Sequence, residues 1–129
     1  MNHLLFFDFI DLFFKYYHTL IRRNKNLILD NSRMLETGPF SYDTTTMRFY
    51  KNGDELILSS KESALLLLFM KHPQQVFTKD MIYEHVWGNM TAIDDNTIMV
   101  YINLLRSKIE DDRQKHILTV RGFGYRFVV

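Results

Sequence analysis

A chain of 129 residues, with 47% hydrophobic and 24% charged side chains, has apolar material for one globular core but not for two. Its lack of cysteine excludes disulfides, thiolate metal sites and cysteine nucleophiles. A formal charge of +1 excludes a polycation, so attraction for nucleic acid would need locally gathered charge, and the last quarter supplies some: Arg106, Lys108, Arg113, Lys115, Arg121 and Arg126 stand against Glu110, Asp111 and Asp112.

The first predicted element is a helix. Phe9, Leu12, Phe13, Tyr16, Leu20 and Ile21 recur at helical steps, and the pattern fades in the basic stretch Arg22-Arg23-Asn24-Lys25-Asn26. The aromatic run Leu4–Phe14 is interrupted by Asp8 and Asp11, has no basic leader or cleavage site, and is shorter than the ~20 apolar residues of a spanning helix. Neither a signal peptide nor membrane binding is expected from it. Residues 1–26 are therefore read as an amphipathic helix and 27–38 as a linker closed by Gly38-Pro39, ahead of a domain over 39–129.

Short strands are expected from Phe40 to Leu58. Met47–Tyr50 and Glu55–Leu58 flank an Asn52-Gly53 pair, which accepts the positive φ angles of a tight hairpin turn. Ser59 and Glu62 have capping-box spacing, and the apolar run Ala64–Met70 predicts a largely buried helix ending before His72-Pro73. Thr78 can cap a second helix to about Trp87, with Gly88 ending it. Asp94-Asp95-Asn96 starts a third that reaches about Glu110, and the tail alternates as a hairpin around Gly122-Phe123-Gly124.

On a helical wheel the third helix buries Ile98, Ile102, Leu105 and Ile109 and presents Asn96, Val100, Asn103, Leu104 and Ser107. Thr97, Tyr101 and Lys108 lie on one margin, Arg106 on the other. Such a helix fits the major groove of DNA, where Asn can read adenine edges and Val100 or the Thr97 methyl can meet a thymine methyl. Tyr101, Arg106 and Lys108 would then meet phosphates, which position the helix without specifying sequence. Taken alone, the wheel also fits an ordinary amphipathic surface helix. The following hairpin tips the balance, because helix pair, third helix and hairpin form a winged helix-turn-helix order, with Arg121 at a tip that can enter a minor groove.

Three motifs carry a family resemblance. Phe77–Gly88 resembles the second helix of the OmpR/PhoB-type response-regulator effector domain, Asp95–Ile109 its recognition helix, and Thr119–Phe127 its wing, so the resemblance covers about residues 38–129. It implies an α+β fold with an N-terminal antiparallel sheet, three helices and a C-terminal β-hairpin. It implies binding to double-stranded promoter DNA, usually by two copies on direct repeats. Asn96, Thr97, Val100, Tyr101, Asn103 and Arg106 fall on the helix positions that meet DNA in the family, and Thr119 and Arg121 on the wing positions. Leu104 stands where many members carry arginine, and the loop from Trp87 to Asp94 matches a segment that touches RNA polymerase in some members.

Phe7-Asp8-Phe9 and the helix after it resemble the end of a receiver domain, although the chain has no room for an acidic phosphoacceptor pocket. The expectation is a truncated cytoplasmic two-component regulator outside phosphorelay control, in which the aromatic helix folds onto the effector domain or pairs two copies. Asp8 and Asp11 are not expected to be phosphorylated. No cofactor, metal or catalytic residue is expected: the five histidines lack metal-ligand spacing, and Gly122-x-Gly124 lacks the third glycine of a dinucleotide fingerprint. A protein-interaction winged helix and a non-functional regulator fragment remain the alternatives, since the fold alone does not guarantee DNA binding.

Overall fold

The computed structural model describes residues 33–88 and 94–129. The helix expected over 1–26, the linker up to residue 32 and positions 89–93 of the expected polymerase loop lie outside the described residues.

Four strands form an antiparallel sheet in chain order: β1 (Met34–Thr37), β2 (Phe40–Asp43), β3 (Arg48–Lys51) and β4 (Asp54–Leu56). The expected linker to residue 38 therefore needs correction, because Met34–Thr37 pair with Phe40–Asp43 across the Gly38-Pro39 turn. Gly38 has φ +57, and a β-carbon there would run into Val129 at the chain's end. The β2–β3 turn is closed by Asp43, whose carboxylate accepts from the backbone N–H groups of Thr45 and Thr46 and from the Arg33 guanidinium. The β3–β4 turn follows the sequence expectation. Asn52 and Gly53 both take positive φ, and Lys51 lies opposite Asp54.

Helix α1 (Ser60–Lys71) starts at the expected box: the Ser59 hydroxyl accepts from the Glu62 N–H, and Glu62 Oε1 accepts from the Ser59 N–H. Leu65, Leu66, Phe69 and Met70 form its buried face, and the helix stops two residues ahead of Pro73. Strand β5 (Val76–Thr78) follows, and Thr78 then caps α2 (Lys79–Ile82) by accepting from the Met81 N–H. The helical path widens into one π turn over Tyr83–Trp87 and is released at Gly88, φ +63. Asp94 caps α3 (Asp95–Ile109), which buries Ile98, Ile102, Leu105 and Ile109 as the wheel predicts.

The chain ends in the hairpin β6 (Ile117–Val120) and β7 (Gly124–Phe127). Strand β7 also pairs with β5, giving a second sheet in the order β5-β7-β6. The core joins both sheets to the helices: the Phe127 ring stacks on Phe69 of α1 at 5.9 Å and tilts against Phe40 of β2 at 5.5 Å. No helix among the described residues is long and apolar enough to cross a membrane.

Candidate nucleic-acid interface

The placement of α3 follows from contacts at both of its ends. At its start Asp94 Oδ1 accepts from the Thr97 N–H and hydroxyl, holding the Asp94 carboxyl below its ordinary value. Lys79 of α2 approaches Asp95 at 3.6 Å. At its end Lys108 Nζ lies 2.9 Å from the buried Glu62 of α1, and Lys51 Nζ donates to the Ile109 carbonyl, one of the four left open by a helix C-terminus. Burial pushes the Glu62 carboxyl up, but hydrogen bonds from Lys108 and Ser59 and the Lys108 charge outweigh it and leave the group below its usual range.

Arg106 sets the wing against the helix. Its Nε and Nη2 donate to the Ile117 carbonyl at 3.2 and 2.9 Å, and Nη2 also reaches the Thr119 hydroxyl at 2.9 Å. The guanidinium lies over the Tyr125 ring at 5.6 Å, and Nη1 donates to Asn103 Oδ1 at 3.2 Å. One side chain thus ties α3 to both strands of the hairpin. It also aims the Asn103 amide nitrogen away from itself.

These contacts divide the ten expected site residues. Asn96, Val100, Asn103 and Leu104 lie together on the exposed face of α3, and Arg121 is exposed at the wing tip. Thr119 is exposed on β6 while its hydroxyl serves Arg106. Thr97 is tied into the N-cap, and Tyr101 packs edge-on against Trp87 with ring centroids 5.3 Å apart. Arg106 and Lys108, expected on phosphates, also bond within the fold, to the Ile117 carbonyl and to Glu62. A wheel registers which margin a cation occupies but not which neighbouring element faces it.

Two exposed apolar residues escaped the sequence reading. Met99, 42% exposed, adjoins Val100 and lines the groove between α3 and the wing with Thr119 and Arg121. Phe123, 69% exposed, forms the wing tip beside Arg121. Met99 could have been found from its place on the wheel. Phe123 had only its position between two glycines, which reads as turn chemistry.

A helix pair, a third helix with one free face, and a hairpin locked beside it define a winged helix-turn-helix protein. Comparison with known proteins agrees. Residues 53–127 match the family model described as "Transcriptional regulatory protein, C terminal". The transcriptional regulatory protein YvrH of Bacillus subtilis is 42% identical over 91 residues, covering 69% of this chain and 38% of that protein. The response regulator DrrB of Thermotoga maritima, an OmpR/PhoB homologue, superposes with a TM-score of 0.67 at 25% identity, over 75% of this chain and 45% of that one. The DNA-binding domain of Klebsiella pneumoniae RstA, solved in complex with the RstA box, superposes with a TM-score of 0.66 at 23% identity, covering 74% of this chain and 97% of that one. The chain belongs to the OmpR/PhoB-type transcriptional regulators, in the family of their C-terminal DNA-binding domains. It spans less than half the length of YvrH.

Proposed function

We propose that the chain regulates transcription by binding double-stranded DNA sequence-specifically, with α3 in the major groove and the wing alongside. The observation that carries this reading is the free face of α3, where Asn96, Val100, Asn103 and Leu104 are exposed next to a wing ending in Arg121. A helix about 10–12 Å across matches a groove about 12 Å wide. In this reading Asn103 and Val100 contact base edges, while Arg121 and Thr119 contact the sugar-phosphate backbone. Arg106, Tyr101, Thr97 and Lys108 hold the reading surface in place.

Two copies on direct repeats in the cytoplasm, a homodimer, and a contact between RNA polymerase and the loop from Trp87 to Asp94 complete the proposal. For the loop, support comes from its anchors: Lys61 donates to the Val86 carbonyl and lies over the Trp87 ring, and Asp94 is fixed as the α3 cap. No catalytic role is assigned to the chain. The test is selection of duplexes from a random DNA pool, followed by titration at rising salt. The proposal expects a shared sequence among the selected duplexes and an affinity that falls steeply with salt. A chain that captures no duplex even in dilute buffer is not a DNA-binding protein.

A further inference from the structure

On the DNA-binding reading just proposed, the free face of α3 also specifies which base chemistry it suits. Val100 is 54% exposed, Leu104 44% and Met99 42%, and Val100 and Leu104 stand one helical turn apart. Arg106 and Lys108, the only cations on α3, are both engaged by other parts of the fold. What remains outward from Asn96 to Ser107 is apolar surface with two carboxamides, Asn96 and Asn103, and the Ser107 hydroxyl, which donates to the Leu104 carbonyl. The Asn103 oxygen already accepts from Arg106, so its amide N–H groups are the part left to donate.

Each base edge can be set against this surface; adenine, with a donor beside an acceptor, suits a carboxamide such as Asn96 but offers nothing apolar to Val100 or Leu104. Guanine offers two acceptors that an arginine or lysine meets best, and here both helix cations are occupied. Cytosine offers a donor but no methyl group, so it leaves the apolar part of the surface, Val100 and Leu104, without a partner. Thymine offers a C5-methyl group and an O4 acceptor, which an aliphatic side chain and an amide N–H satisfy together. A protein partner fits less well, because the apolar patch is broken by Asn96, Asn103 and Ser107.

We propose that α3 recognises its site chiefly through thymine methyl groups, packed against Val100 and Leu104, with Asn103 donating to a neighbouring acceptor. The experiment uses the full chain and a duplex selected from the random pool, compared with the same duplex carrying deoxyuridine in place of individual thymidines. Uracil keeps the pairing edge and O4 and lacks only the methyl. The expected result is about fourfold weaker binding for each contacted methyl removed. A Leu104→Ala variant, checked for unchanged thermal melting, should then bind the parent and substituted duplexes with nearly equal affinity at the position it contacts. Equal binding of both duplexes by the unaltered chain overturns methyl recognition and leaves DNA binding standing. So does a Leu104→Ala variant that keeps the full discrimination together with a Val100→Ala variant that does the same. Failure to bind any duplex overturns both proposals.

Discussion

Glu62 Oε1 accepts from two directions at once, the Ser59 N–H that begins α1 and the Lys108 ammonium in the last turn of α3. The carboxylate is buried and the lysine side chain partly exposed, so a single buried oxygen sets where the end of α3 rests on α1. Removing a cation from such a pair costs more than the pair itself contributes, because the remaining charge stays desolvated.

Lys108→Met keeps the aliphatic stem and deletes the charge. It should lower unfolding stability by about 1–3 kcal/mol, the penalty of a buried carboxylate that loses its charged donor and keeps only the Ser59 N–H. Urea denaturation measures this as a lower midpoint at constant slope. The salt dependence of DNA binding should not change. A salt slope reduced by about one unit would instead return Lys108 to the phosphate contacts.

Acid should unfold the domain in part through two carboxylates. The Arg33 guanidinium, outweighing burial and helped by the Thr45 and Thr46 N–H groups, holds Asp43 far below the ordinary carboxylate range; Glu62 is also lowered, as described above. A group with a depressed folded pKa binds fewer protons when folded, so it stabilises fully above its unfolded value, about 3.9 for Asp and 4.3 for Glu. That contribution disappears as pH falls below those values toward the folded ones. Urea midpoints measured from pH 7 to pH 3 should therefore decline below about pH 4.5. Asp43→Asn should start less stable at pH 7 and decline less steeply, and a parallel decline would exclude Asp43 as a source.

The hairpin of β3 and β4, the α1 capping box and the buried stripe of α3 were all legible in the sequence because each rests on contacts within a few residues. Strand β1 was not: four residues reading Met-Leu-Glu-Thr, with no β-branched or aromatic residue before Thr37, show no clear alternation and gain strand geometry from pairing with β2. Strand β5 is three residues long, too short to show alternation, and it exists because β7 lies beside it. In the interface the same division holds. Exposure of Val100 and Leu104 follows from helical period, whereas the occupation of Arg106 and Lys108 depends on β6 and α1, 11 and 46 residues away in sequence.

Gly124 tests the pairing of β5 with β7. A β-carbon at this position would collide with the Phe77 carbonyl, a backbone atom that cannot rotate aside. Gly124→Ala should push β7 away from β5 and cost about 1–3 kcal/mol, the usual range for overpacking. Gly122→Ala is a useful contrast. Its position is open, so the cost there comes from φ +82 alone. If thermal melting shows Gly124→Ala to be as stable as the parent, the close approach of β7 to β5 is wrong.

Arg106 and Arg121 are both arginines near the wing, yet the structure gives them different work. Arg121 is exposed at the turn, where it can neutralise one phosphate or enter a minor groove. Arg121→Ala should weaken binding and lower the salt slope by about one unit, with little change in unfolding stability. Arg106 acts through its fork on the Ile117 carbonyl and the Thr119 hydroxyl, a geometry that an ammonium does not reproduce. Arg106→Lys keeps the charge, so the salt slope should stay within half a unit of the parent's, a bound set by about one unit per phosphate contact. Affinity should nevertheless fall, because the wing is no longer held at its angle to α3 and the Asn103 amide is no longer oriented. The fall should be larger for the selected duplex than for a scrambled one, shrinking the ratio between them. If Arg106→Lys binds as the parent does while Arg106→Ala loses a full unit of slope, Arg106 meets a phosphate directly and its bonds to the wing are incidental.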